Sequence, residues 1–194
     1  PRYSSSAASD VYKRQELGNR RSDIVSVNQI PIAAASIAQV HEAVLSNGSD
    51  VVIKIQRPGI RKKVIDDLKV MAWVAPKLVG KIPVAALANP PALVELFAET
   101  ICEELDFKLE VANLFEIKRV LYSNLKQEWE IPDPELELVT ERVIVMTKIS
   151  GVSLGDSIAM GIDSESSSVV FRQMVEGLLE GAVIHGIFHG DFHA

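Results

Sequence analysis

Apolar positions between Ile24 and Gln56 are largely β-branched. Val40, Val44, Val51, Val52, Ile53 and Ile55 cluster in two short runs, which predicts strands. The runs flank Ser46-Asn47-Gly48-Ser49-Asp50, a strong hairpin turn. Arg57-Pro58-Gly59 stops the second run, and the period then changes. Ile60, Val64, Leu68, Met71, Val74 and Leu78 are spaced for a helix over Ile60 to Val79.

Pro83, Pro90 and Pro91 mark a loop before a second helix, which Asn89 can cap. That helix is expected to run unbroken from about Pro91 to Tyr122. Its apolar stripe passes through Leu93, Leu96, Phe97, Ile101, Leu105, Val111, Leu114, Phe115 and Ile117. After a loop at Pro132 and Pro134, Leu136–Thr140 and Val143–Ile149 read as a second hairpin turning at Glu141-Arg142. A short helix near Leu154 to Met160 and a longer one from Ser164 to about Gly186 follow the break at Gly151. Strands, helices, strands, helices in that order predict an α+β arrangement, with a β-rich N-terminal part and a helical C-terminal part.

Composition narrows the function. The chain has 194 residues, 47% hydrophobic and 24% charged, as in an ordinary globular protein. Its net charge of -6 argues against a dedicated nucleic-acid binder, yet local cations can still hold a small anion. The single cysteine, Cys102, allows no internal disulfide, which points to a reducing compartment and a cytoplasmic location. Its apolar neighbours Ile101 and Leu105 read it as a buried small residue. The most apolar stretch, Val70 to Ala98, is broken by charges and prolines and cannot be a membrane span. Pro1 to Arg14 is polar and without period, so it reads as a disordered tail or a cloning or sequencing scar.

Four features carry candidate chemistry. Pro31 to His41 holds Ala33, Ala34, Ala35 and Ser36 between strand signals. Small residues there suit either a backbone loop that cradles phosphate or a tight turn packed under a helix. Lys54 interrupts an apolar strand, on the face of Val52 and Gln56; it is either solvated or a phosphate-binding lysine held by a carboxylate. Glu103 to Glu110 carries four carboxylates and one lysine. Glu104 and Lys108 can pair on a solvated face, whereas Asp106 and Glu110 share a face and need a cation, either a distant lysine or Mg²⁺. His185, His189, Asp191 and His193 cluster at the C-terminal end, as metal ligands, as a catalytic loop after a helix, or as a structural loop.

Taken together, these stretches resemble the UbiB/ADCK family of atypical protein-kinase-like proteins. The matching segments are Pro31–His41, Val51–Ile60, Glu104–Asn113, Val143–Leu154 and His189–His193. The resemblance implies a protein-kinase-like fold with ATP and Mg²⁺ between two lobes. Residues 24–149 would form the N-lobe with its hinge, and residues 150–194 the start of a truncated C-lobe ending in the catalytic loop; residues 1–23 would lie outside the fold.

On that mapping Lys54 binds phosphate and Glu110 is its helix partner. Ala33, Ala34, Ala35 and Ser36 cover the phosphates. Met146, Lys148 and Ile149 belong to the hinge that meets adenine, and Asp191 is the catalytic-loop aspartate. Glu104 and Asp106 are the family's ExD acids. The resemblance further implies ATP binding and ATPase activity in support of isoprenoid-quinone biosynthesis, with quinone-biosynthesis proteins and a lipid or membrane surface as partners. The family's KxGQ motif is absent, and the sequence stops three residues after Asp191. The expectation is therefore a fragment that binds Mg-nucleotide poorly and does not turn over. Two alternatives stay open: a non-catalytic nucleotide- or lipid-binding accessory module, and a metal-dependent hydrolase built on the C-terminal His/Asp cluster.

Overall fold

The computed structural model describes residues 16–79, 81, 89–124, 130–152, 156 and 164–187. The chain divides into two compact units. One comprises the residues up to Val111 together with Asp133–Lys148, and the other Ala112–Pro132 with Ile149 onward.

The first unit is built on an antiparallel sheet. Its strands are β1 (Ile24–Val27), β2 (Ala33–Ala34), β3 (Ala38–Leu45), β4 (Asp50–Gln56) and β5 (Val143–Thr147). The order is β1-β3-β4-β5, with β2 also pairing with β3. The β3–β4 hairpin closes where the sequence places it: Gly48 takes a positive φ of 85°, and the Asn47 side chain accepts the Ser49 N–H.

Alternation along the strands buries both faces. Ala43, Leu45, Val51, Ile53, Ile55, Val143 and Val145 form one core with Leu17 and Leu138. Ala38 and Ile144 meet Phe107 and Val111 on the other face. Leu17 lies in the stretch assigned to the tail, so the folded chain begins before Ile24. Gly18–Asp23 forms a 3-10 turn, Glu16 pairs with Arg142, and Arg20 donates to the Glu137 carbonyl.

Helix α1 spans Ile60–Leu78 and starts after Gly59, whose φ is 71°. The single long helix expected next is two: α2 (Pro90–Glu104) and α3 (Phe107–Asn124). The break has a local cause. Leu105 and Asp106 turn back with N–H bonds to the Cys102 and Glu103 carbonyls, and the Asp106 carboxylate then accepts the Lys108 N–H as an N-cap. Asn89 is not a side-chain cap. It takes a left-handed backbone before Pro90, and the prolines occupy the first helical positions. Cys102 is exposed rather than buried, because α2 buries none of its residues.

The second expected hairpin is also revised. Leu136–Leu138 is a 3-10 turn, not a strand. Its approach runs along the outer edge of β5: Glu135 donates to the Val145 carbonyl and Thr147 to the Asp133 carbonyl, with Pro134 opposite Met146. Proline cannot donate to a ladder, so pairing here stays a single bridge.

The second unit holds the C-terminal part of α3 and helix α4 (Ser164–Glu180), which runs on into a π turn at Gly181–His185. Gly186, at φ 69°, ends it. The Ile187 carbonyl lies 2.7 Å from where a Cβ on Gly181 would sit, so that position requires glycine. The short helix expected over Leu154 to Met160 lies almost wholly outside the described residues. Among the described residues no helix is long and apolar enough to cross a membrane.

Candidate functional site

The site grows from one transverse row of the sheet. Ala33 faces Val40, Val40 faces Lys54, and Lys54 faces Ile144, so the four share one sheet face. This row sets the start of the alanine segment two strands, about 10 Å, from Lys54. Lys54 is not a solvated lysine. Its Nζ donates to both carboxylate oxygens of Glu110, at 2.6 and 2.7 Å, with the two side chains 24% and 36% exposed. It also stands 5.0 Å from the Phe107 ring centroid, within cation–π reach.

Glu110 is delivered by a firmly anchored helix start. Phe107, one turn earlier, is buried against Ala38, Val111 and Ile144, and its N–H donates to the Glu141 carbonyl at 3.0 Å. The buried Gln56 amide donates to the Leu105 carbonyl at 2.8 Å and to the Glu141 carbonyl at 3.1 Å. One side chain thus ties the end of β4, the break before α3 and the turn before β5. The Thr140 hydroxyl accepts the Arg142 and Val143 N–H groups, which fixes that turn.

Ala33, Ala34, Ala35 and Ser36 are all exposed. The Ala35 N–H donates to the Ala38 carbonyl, so the segment is a tight hairpin rather than an open loop. Arg57 clamps it: its Nε donates to the Ala35 carbonyl at 3.0 Å and its N–H to the Ile37 carbonyl at 2.8 Å. None of these alanines has a positive φ.

The acidic run resolves into separate jobs. The cation needed on the shared face is Lys54, and it goes to Glu110. Asp106 caps α3, while Glu104 is exposed at the end of α2. No group of three His, Cys, Asp or Glu side chains gathers to hold a metal ion among the described residues.

In the segment expected to be the hinge, Met146 faces Val52 in the ladder, and the Lys148 N–H is taken by the Asp50 carbonyl at 3.2 Å. The Lys148 backbone amide is therefore committed to the sheet. Its ammonium pairs with Glu42 at 2.7 Å, which holds the lysine above its ordinary range. The same hydrogen bond, aided by Asn28, holds the Glu42 carboxyl below the usual range. Ile149 is exposed and belongs to the second unit. His189, Asp191 and His193 lie outside the described residues, and His185 ends the π turn.

Three positioning residues were not singled out from the sequence. Gln56 carried the available signal, a polar side chain two positions from Lys54 and on the same face. Phe107 and Arg57 adjoin recognised motifs but gave no sign of their anchoring roles.

The site is thus a lysine–glutamate pair on one face of a small antiparallel sheet. The whole chain, residues 1–194, matches the family described as the ABC1 atypical kinase-like domain. The chain belongs to the ABC1 atypical kinase-like family.

Within this family it is similar to "Uncharacterized protein Rv0647c" of Mycobacterium tuberculosis strain H37Rv, at 34% identity over 182 residues, 93% of this chain and 37% of that protein. It is also similar to "Probable protein kinase UbiB" of Vibrio cholerae, at 37% identity over 127 residues, 65% of this chain and 23% of that protein. Among solved structures it resembles one titled as the Rv3197–erythromycin complex from M. tuberculosis. The TM-score is 0.79 at 28% identity, covering 100% of this chain and 47% of that one. The chain thus spans less than half the length of these relatives, between 23% and 47%. The α+β, protein-kinase-like architecture of the ABC1 family is the one this chain adopts.

Proposed function

We propose that this chain carries the nucleotide-binding station of an ATP-dependent, kinase-like protein. The observation that carries the reading is the two-pronged Lys54–Glu110 pair, set on one sheet row with the alanine hairpin. An ammonium held by a carboxylate but still partly open to solvent has the charge and the access to take a phosphate oxygen. Bound ATP supplies the phosphoryl group for transfer or hydrolysis. Lys54 offsets phosphate charge, Glu110 fixes where that ammonium points, and the Ser36 N–H offers a further donor at the hairpin whose Ala35 N–H is taken by the Ala38 carbonyl. Each alanine methyl limits how closely that backbone approaches.

Met146 and Ile149 supply the hinge beside the base, with Lys148 committed to Glu42 and Asp50. Asp191 orients the attacking hydroxyl or water. Mg²⁺ enters with the nucleotide as its counter-ion. The family resemblance supplies the setting: isoprenoid-quinone biosynthesis, with quinone-biosynthesis proteins and a membrane surface as partners of a cytoplasmic, membrane-peripheral protein.

The test is nucleotide-linked stability. Mg-ATP at a hundred times its dissociation constant raises the folding free energy by about 2.7 kcal/mol. A rise in unfolding midpoint is expected at millimolar Mg-ATP, a concentration that fills even a weak site. Asp191→Asn should keep that rise while removing whatever ATP turnover the chain shows. No midpoint change at millimolar Mg-ATP overturns the reading. Turnover that needs bound zinc or iron and no nucleotide would favour the hydrolase alternative instead.

A further inference from the structure

A cavity of about 420 Å³ opens where β4 runs into α1, and Lys54 is not among its lining residues. Arg57, Arg61, Lys62, Lys69 and Arg142 line it, with Asp66 the one carboxylate in the wall among the described residues. The charges around it do not balance. Asp66 is shared between Lys62 at 2.5 Å and Lys69 at 3.3 Å. Glu141 reaches Arg61 only at 3.8 Å, and Glu16 takes Arg142 at 3.0 Å. Arg57 bonds to the neutral Ala35 carbonyl. Among the described residues, the pairs named here set five cations against three carboxylates, a surplus of two positive charges in a chain whose net charge is -6.

The first turn of α1 sharpens the imbalance. It carries Arg61 and Lys62, no acidic residue and no side-chain cap. Cations at a helix N-terminus oppose the helix dipole, and a bound anion would relieve both effects.

We infer that this cavity binds a small phosphomonoester, at a site separate from the Lys54–Glu110 pair. A phosphomonoester carries a charge of about -1.5 to -2 at pH 7, which matches the surplus. Arginine forks suit its oxygens. The cavity lies within the range of about 300–1,000 Å³ typical of small-molecule sites, so the ligand has an organic body as well as a phosphate. Ile60 and Ile65 give that body an apolar wall.

The test titrates the full chain with glycerol 3-phosphate by calorimetry at low salt. In a second arm the chain is mixed with phosphatidylcholine vesicles containing phosphatidic acid, which presents the same chemistry on a lipid. Saturable binding in either arm is expected, and which arm binds identifies the source of the phosphate. Arg61→Gln combined with Lys69→Gln should weaken it at least tenfold, and Lys54→Met should leave it unchanged. Asp66→Asn removes the lining carboxylate and should tighten binding several-fold, a gain that misfolding cannot produce. Absence of binding in both arms overturns the inference. So does binding that is lost in Lys54→Met but indifferent to the cavity variants.

Discussion

Helix α2 and the start of α3 adjoin in sequence and share one apolar stripe, yet they are held differently. In α2, Leu93, Leu96 and Phe97 are all exposed and no residue is buried. Three residues past its end, Phe107 is 1% exposed and Val111 is buried beside it. Hydrophobic spacing is the same in both, so spacing does not decide which stretch is fixed. Polar anchoring does: Gln56, the Glu141 carbonyl and the Asp106 cap converge on the first turn of α3, and among the described residues no such set holds α2. The consequence is functional, because the anchored turn presents Glu110 to Lys54.

The sharpest way to break this contrast is a matched pair of truncations. Phe107→Ala removes a buried ring and should cost about 3–5 kcal/mol, whereas the exposed Phe97→Ala should cost well under 1 kcal/mol. Denaturant unfolding measures both, and equal costs would erase the distinction. Next in size, Gln56→Leu leaves the Leu105 carbonyl and one bond to Glu141 without a donor. A loss of about 1–3 kcal/mol is expected, together with weaker nucleotide binding through a displaced Glu110. Unchanged stability and affinity would show that the Gln56 bridge does not position α3. Asp106→Ala removes the cap and should cost about 1 kcal/mol, read as earlier amide exchange in the first turn of α3 and not in α2.

The smallest effect concerns the pair that ties β3 to the segment after β5. Glu42 titrates below its ordinary range because Lys148 donates to it, so this contribution is present at neutral pH and is lost as pH falls through the carboxylate's lowered value. Lys148 titrates above its ordinary range, so the contribution persists upward until that lysine deprotonates. Glu42→Gln should lower the unfolding midpoint slightly at pH 7 and not at all in strong acid. A difference that survives full protonation would assign the effect to something other than the pair.

The sheet, the turn at Gly48 and α1 are legible in the sequence because local rules fix them: β-branched alternation, a glycine turn, and a proline–glycine stop before a helical period. The juxtaposition of Lys54 and Glu110 is legible through the family resemblance, which names the pair; the residues alone leave Lys54 solvated or paired, and the acidic face to a lysine or Mg²⁺. The break at Leu105–Asp106 is not, because a cap aspartate inside a continuous apolar stripe looks like one more helical acid until backbone bonds turn it. The 3-10 turn at Leu136–Leu138 escapes for a similar reason: three apolar-polar alternations satisfy either reading, and the edge of β5 decides. The anchoring roles of Gln56 and Arg57 rest on carbonyls distant in sequence, to which no spacing rule points.

The central claim is that Lys54, aimed by Glu110, is the phosphate-binding cation. Its most direct measurement is the equilibrium affinity for Mg-ATP of the unaltered chain, Lys54→Met and Glu110→Gln, each with its fold checked by circular dichroism. The account expects at least a tenfold loss for Lys54→Met and a smaller loss for Glu110→Gln, at unchanged helix and strand content. Equal affinity in all three proteins would contradict it.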